Sequence, residues 1–365
     1  MKIVTVLGAR PQFVKAATLS RQIKKINQKR KNKITEIIIH TGQHYDENMS
    51  DIFFEQMEIP RPNYILQSGG KTHGAMTGEQ LIEIEKILMN ESPDYVLVYG
   101  DTNSTLAGAL SACKMQIPVI HVESGLRSFN KAMPEEVNRI LTDQISDFLF
   151  CPTDVAVDNV RSLKKYNNNI YIENIGDVMN DACQFYMSRA TMPLNYKPTL
   201  RKKILVTIHR AENTDDLEKL SEIVNALNEL NKIYEVIFPI HPRTLKFINQ
   251  YNLSLDFETY EPFGYLEMLW LLNKSDLVLT DSGGLQKEAY FLKKWCITVR
   301  GETEWVELID SKVNVLVRPQ SNDILNNVQI FIEKDKGSFF SKRLYGDGNS
   351  AEKILNVIVN KFNVK

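Results

Sequence analysis

Short apolar runs alternate with longer amphipathic stretches along almost the whole chain. Runs rich in β-branched residues predict strands over 2–7, 36–40, 94–99, 119–122, 148–151 and 170–175. A second series predicts strands over 203–208, 235–240, 277–280, 296–299 and 313–317. Helical spacing of apolar residues fills the intervals, as over 17–27, 78–90, 216–233 and 284–292. Strands that alternate with helices form parallel sheets covered on both faces. The strands read as continuous apolar runs, which agrees with burial on both sides. The two series meet in 179–202, whose second half is polar and contains prolines, and a domain boundary is expected there. Residues 349–363 read as a last amphipathic helix.

The length of 365 residues allows two domains, and 43% hydrophobic with 24% charged residues is ordinary for a globular protein. A net charge of −1 gives no electrostatic basis for binding nucleic acid or an anionic membrane. No apolar run approaches the roughly 18 residues of a membrane span. MKIVTVLGARPQ reads as a first strand and its turn rather than a signal peptide, so a cytoplasmic location is expected. Cys113, Cys151, Cys183 and Cys296 are isolated, and buried reduced thiols are expected, with no metal.

Candidate chemistry gathers where strands end, the place where parallel α/β sheets bind ligands. Asp101 and Glu123 each follow an apolar run, and Glu135–Glu136 come next with Arg127 and Arg139 nearby. His40, His121, His209 and His241 fall at predicted strand ends and His44 just beyond one, whereas His73 falls elsewhere. Together they suggest a polar cleft between two sheets. Arg10 stands at the first strand's exit, Pro11 suits a helix's first turn, and Lys15 lies about one turn on, which makes an anion site. Asp281-Ser282-Gly283-Gly284 repeats the device after a second strand, with Glu288 one turn later for a ribose hydroxyl pair. His209-Arg210 and His241-Pro242-Arg243 end two further strands, and Arg300 another. Ser68-Gly69-Gly70-Lys71-Thr72 lacks the first glycine of a phosphate loop, since Ile65 occupies that place. GARPQF replaces the glycine pattern of a dinucleotide turn, so no nicotinamide or flavin cofactor is indicated.

The motifs GARPQFVK, GQH, YGDTNST, HVESGLRS, MPEEVNR, His209-Arg210, TDSGGLQKEA and YGDG occur in this order. In this the chain resembles the UDP-N-acetylglucosamine 2-epimerases, in their non-hydrolysing bacterial branch. The resemblance implies two Rossmann-like domains facing a central cleft, the plan of one large glycosyltransferase group. It implies a first domain of 1–178 with the helix 349–365 packed back on it, and a UDP-binding domain of 179–348. It also implies a homodimer, a UDP-sugar substrate and no cofactor. In the implied reaction UDP leaves C1 as C2 loses its proton, giving a 2-acetamidoglucal. UDP then adds back after C2 is reprotonated from the opposite face, in service of surface polysaccharide precursors. Asp101, Glu123 and Glu135 would handle protons, and His209 would act on the phosphates or the leaving group. Arg10, Lys15, Arg139, Arg210, His241, Ser282, Gly283, Gly284 and Glu288 would bind substrate.

Two departures bear on the substrate. The family's usual Gly-Thr-Arg-Pro-Glu is Gly8-Ala9-Arg10-Pro11-Gln12 here. That version, with ETEWVE, resembles a subgroup acting on UDP-2,3-diacetamido-glucuronic acid. Gly70-Lys71 stands where many members have Arg-Gln in a regulatory site, whose other parts match Gln43, Glu136, Arg210 and His241. Gly70 cannot donate as an arginine does, which argues against activation by substrate. Alternatives are a UDP-N-acetylglucosamine epimerase proper, a hydrolysing epimerase and a retaining glycosyltransferase.

Overall fold

The computed structural model describes residues 1–29, 31, 33–43, 54–55, 58–165 and 169–363, apart from the side chains of Arg10 and Asn363. His44 lies outside the described residues. The chain forms two compact units, Met1–Ala182 with Leu344–Lys365, and Cys183–Arg343.

The first unit holds seven strands: β1 (Lys2–Leu7), β2 (Thr35–His40), β3 (Tyr64–Ile65), β4 (Tyr95–Tyr99), β5 (Val119–Val122), β6 (Phe148–Cys151) and β7 (Tyr171–Asn174). They lie in the order β3-β2-β1-β4-β5-β6-β7, every pairing parallel. Val4, Val6, Val96 and Val98 are fully buried and pack with the small Ala107, Ala109 and Ala112 of helix Asn103–Lys114. The chain runs outward from β1 to β3 and returns to start β4 on β1's other side. That reversal leaves the exits of β1 and β4 side by side, the place where a doubly wound sheet binds its ligand.

Helix Ser350–Asn363 packs on helix Arg10–Lys29 of the same unit. Asp181 fixes its start, accepting from the Ser350 N–H (3.1 Å) and the Ala351 N–H (2.9 Å). These are first-turn donors that the helix cannot satisfy itself.

The second unit contains β8 (Lys203–Thr207), β9 (Glu235–Ile237), β10 (Leu277–Thr280), β11 (Trp295–Val299) and β12 (Asn314–Val317). Their order is β12-β11-β10-β8-β9, again parallel, with the reversal between β8 and β10.

Two expectations need correction, and one strand has no counterpart among those expected. Strand β9 stops at Ile237 instead of reaching 240, because Pro239 has no N–H for a ladder. Tyr260 takes over there, donating to the Phe238 carbonyl (3.0 Å) and accepting from the Ile240 N–H (2.8 Å). Strand β3 has only two residues, too few to show a period in sequence. Among the cysteines, Cys151, Cys183 and Cys296 are buried, but Cys113 is exposed near the end of its helix.

His40 ends β2 as part of the core, 1% exposed. Its Nδ1 accepts the Gly42 N–H at 2.9 Å, and Phe13 meets the ring edge-on at 4.9 Å between centroids. Burial pushes its pKa down to about 4. An unfolded histidine titrates near ~6.5, so the folded protein resists binding a proton that the unfolded chain takes up. The contribution is therefore fully present above that value and is lost as pH falls towards 4. Between about pH 7.5 and about pH 4.5 this histidine accounts for roughly 2–3 kcal/mol of lost stability. Urea melts of wild type and His40→Gln, whose amide oxygen still accepts the Gly42 N–H, measure it. The variant is expected to lose less stability on acidification, and identical losses would remove His40 as the cause.

Candidate active site

Two carboxylates leave adjacent strands of the first unit, Asp101 after β4 and Glu123 after β5, where Tyr99 and Val122 are register partners. Each has its own cation. Lys15, from the second turn of helix Arg10–Lys29, pairs with Glu123 Oε2. Both residues are buried, at 9% and 8% exposed. Between them lies Gly100, with φ +65, where an added Cβ would sit 3.2 Å from Lys15 Nζ and 3.4 Å from Glu123 Oε2. A side chain there would strain the backbone and crowd the ion pair. Glu123 itself has φ +69, a conformation L-residues rarely adopt.

Asp101 Oδ2 accepts from Arg139, at 3.1 Å from Nε and 2.5 Å from Nη2. Arg139 also donates from Nη1 to Glu136 Oε2 at 2.9 Å. Both stand on helix Pro134–Ile145, three residues apart and so on one face. Glu136 is fully buried. It accepts the Ser128 N–H (2.9 Å), the Ser128 hydroxyl (3.1 Å) and the Phe129 N–H (3.0 Å). Its sequence assignment to a regulatory site meets a carboxylate already committed to internal donors. Gln43 is similarly engaged, its Oε1 accepting the Ser104 hydroxyl at 2.8 Å.

Glu135 is exposed in the first turn of the same helix. No hydrogen bond or ion pair joins it to Asp101 or Glu123 among the described residues. Arg10 opens its helix, and its side chain is not among those described.

His121 does not line a site. It is fully buried inside β5, with Nδ1 on Asp143 (2.8 Å) and Nε2 on the Gly100 carbonyl (2.7 Å). Asp143 also takes Arg127 Nη1 at 2.6 Å and the Gly125 N–H. His121 and Arg127 thus shape the turns around Asp101 and Glu123.

Gln12 joins the two strand exits. Its Oε1 accepts the N–H groups of Gly8 (2.8 Å) and Ala9 (2.9 Å). Its Nε2 lies 2.8 Å from the Tyr99 carbonyl and about as close to the Thr102 and Thr105 hydroxyls. In sequence it stood out only as a departure from the family pattern.

In the second unit the fully buried Asp281, just after β10, organises the turn after β8. Its carboxylate accepts the N–H groups of His209 (3.0 Å) and Arg210 (2.9 Å) and the Asn213 amide (3.1 Å). Its carbonyl accepts Arg210 Nε at 3.0 Å. The His209 and His241 rings lie 5.6 Å apart, and His241 Nδ1 accepts the Arg243 N–H at 3.1 Å. Burial, with His209 and Arg243 beside it, pushes the His241 pKa down.

Ser282 precedes helix Gly283–Phe291. Gly284 has open space where a Cβ would project, so its backbone is accessible. A Cβ on Gly283 would meet Arg210 Nη2 (3.8 Å), Trp305 Nε1 (3.8 Å) and Glu304 Oε2 (3.9 Å). Glu288 lies beside the buried Tyr265, whose ionisation is disfavoured by burial and then by the Glu288 charge.

Sequence reading did not single out Asp281 as a side chain, nor the Arg300–Glu304 pair (3.1 Å). Burial alone would raise the Glu304 pKa, but the Arg300 hydrogen bond and charge, with Arg210 further off, hold it low. Lys287, 1% exposed, stacks over the Trp305 ring at 4.0 Å. The 302–307 stretch thereby clasps the helix that begins at Gly283.

Two doubly wound parallel sheets, each with a polar cluster at its reversal point, define an α/β enzyme of the nucleotide-binding class. A family model described as UDP-N-acetylglucosamine 2-epimerase matches residues 26–359. The chain is 51% identical over 358 residues to the UDP-2,3-diacetamido-2,3-dideoxy-D-glucuronate 2-epimerase of Pseudomonas aeruginosa, covering 97% of this chain and 98% of that protein. It is 48% identical to a UDP-N-acetylglucosamine 2-epimerase homolog of Methanococcus maripaludis, covering 99% and 100%. The crystal structure of the Methanocaldococcus jannaschii UDP-GlcNAc 2-epimerase in complex with UDP-GlcNAc and UDP matches with TM-score 0.87. That match is at 42% identity and covers 99% of this chain and 100% of that one. The chain belongs to the UDP-N-acetylglucosamine 2-epimerase family and is accordingly an isomerase.

Arg139 tests how the first unit's cluster is held together. Arg139→Gln leaves the buried Glu136 charge without its cation and is expected to cost about 3 kcal/mol. Adding Glu136→Gln removes that charge and should recover part of the loss. Denaturant melts of the two single variants and the double variant give the coupling, and strict additivity would show that the residues act independently.

Proposed function

We propose that this protein epimerises C2 of UDP-2,3-diacetamido-2,3-dideoxy-glucuronic acid, giving the mannuronic acid epimer for surface polysaccharide precursors. The observation that carries the chemistry is the pair of carboxylates on adjacent strands, each ion-paired with its own cation. The substrate assignment is supported by 51% identity to the Pseudomonas aeruginosa protein of that name, and by Ala9, Gln12 and ETEWVE.

A C2–H with no adjacent carbonyl is a very weak acid, and its loss becomes feasible as the C1–O bond breaks and positive charge builds on the ring. One carboxylate takes the C2 proton and the C–H electron pair forms the C1–C2 double bond. The C1–O pair leaves with UDP. Re-addition returns the oxygen to C1 and places a proton on the opposite face of C2, so nothing is consumed. Asp101, Glu123 and Glu135 form the proton-handling set in this reading, with His209 at the phosphates or the leaving oxygen.

Arg10, Lys15, Arg210, His241 and the N–H groups at Ser282, Gly283 and Gly284 favour the developing diphosphate charge. Arg139 serves the sugar through Asp101, and Glu288 takes the ribose hydroxyls. No residue in this scheme calls for a metal or an organic cofactor. The reading extends to a cytoplasmic homodimer, supported by the family resemblance and testable by light scattering of the purified protein.

Incubation in D2O with the diacetamido uronate and, separately, UDP-N-acetylglucosamine, followed by NMR, tests the proposal. The expected product carries deuterium at C2 and the UDP stays attached. The uronate should show the higher kcat/KM by about 10⁴-fold, the scale on which a site built to bond a polar group rejects the analogue lacking it. Turnover without C2 deuterium would sink the elimination mechanism. Equal rates would remove the substrate assignment, and free sugar released in step with UDP would identify a hydrolase.

A further inference from the structure

Of the eight non-glycine residues with positive φ among those described, five follow helices, where that conformation is routine. Of the other three, Glu58 stands apart, while Glu123 and Phe129, at φ +69 and +58, both belong to the segment between β5 and helix Pro134–Ile145. A bulky aromatic in this conformation is unusual anywhere. Phe129 is also 80% exposed, so the core does not hold its ring.

The backbone around it is nonetheless fixed. Asp143 accepts the Gly125 N–H, Arg127 bonds both Asp143 and the Leu126 carbonyl, and Leu126 is buried. Glu136 holds the N–H groups of both Ser128 and Phe129. The ring is therefore presented on a rigid backbone, and hydrogen bonds connect its attachment to the acids. They run from the Phe129 N–H to Glu136, from Glu136 to Arg139 and from Arg139 to Asp101. The segment also begins at Glu123 and ends just before Glu135. Strained backbone persists where the surrounding structure enforces it, commonly at functional sites.

We infer that Phe129 is a specificity-determining residue that packs against the sugar of the UDP-sugar, on its ring C–H face and N-acetyl methyl groups. The inference rests on the proposed function, because it places the sugar at Asp101 and Glu123. An aromatic face suits apolar C–H groups, and a backbone already fixed leaves only the side-chain torsions to be ordered on binding. The contact forms equally in ground and transition states, so it acts on KM and leaves kcat alone. UDP lacks the acetamido sugar carried on the diphosphate and gains nothing from the contact.

The test compares wild type with Phe129→Asn, Phe129→Gly and Phe129→Trp, using calorimetric binding of UDP and of the UDP-sugar together with steady-state turnover. Asparagine and glycine both tolerate positive φ, so these variants should melt no lower than wild type. Both are expected to raise KM and weaken UDP-sugar binding roughly tenfold, the scale of one aromatic contact. UDP binding should stay within about twofold, and Phe129→Trp should restore most of the loss. Unchanged UDP-sugar affinity in the asparagine variant overturns the inference, as does an equal loss for UDP. Wild type that binds the UDP-sugar without turning it over defeats the epimerase reading instead, and the affinity comparison still decides the role of Phe129.

Discussion

Acids gathered at the end of a sheet repel one another and lose hydration when they are buried, so such a cluster needs cations and N–H donors. In the first unit Arg139 serves two of these acids at once. Its guanidinium bonds Asp101 on one side and Glu136 on the other, and its planar fork serves two carboxylates where a lysine would serve as a point charge. Glu136, made tolerable by Arg139, can then hold the backbone of Ser128 and Phe129. Lys15 does the corresponding work for Glu123, and Gly100 leaves room for that pair. The path of the segment from β5 to helix Pro134–Ile145 thus depends on a small set of buried charges.

Each unit joins the strand exits at its own reversal point with a side chain. In the first, the Gln12 amide binds the exit of β1 to that of β4. In the second, the Asp281 carboxylate, after β10, holds the N–H groups that follow β8. A carboxylate only accepts, which suits a turn of N–H groups. An amide also donates, which suits the Tyr99 carbonyl. The glutamine at position 12 thereby has a physical reason in this chain.

Much of the architecture was readable because buried parallel strands leave apolar runs of strand length. Eleven of them were visible, and most observed ends fall within a residue or two of the expected ones. β3 was hidden by its brevity, and the end of β9 by a proline whose effect depends on a partner at Tyr260. The strand-end acids and glycines were visible as residues. His121 and Arg127 looked equally available, and only their bonds beneath the turns, with the burial of His121, show their structural use.

The sequence by itself determined the alternation of elements, the two-part organisation, the family and the positions of ionisable groups at strand exits. Local periodicity and motif order carry that information. Tertiary structure decided which charges meet, because Lys15 and Glu123 are 108 residues apart and Gln12 reaches the Tyr99 carbonyl across 87. It also decided that Glu136 is committed internally and that Phe129 is strained and exposed. Charge pairing, the burial of a polar group and backbone strain arise only when segments pack, and the apolar periodicity of the chain does not encode them.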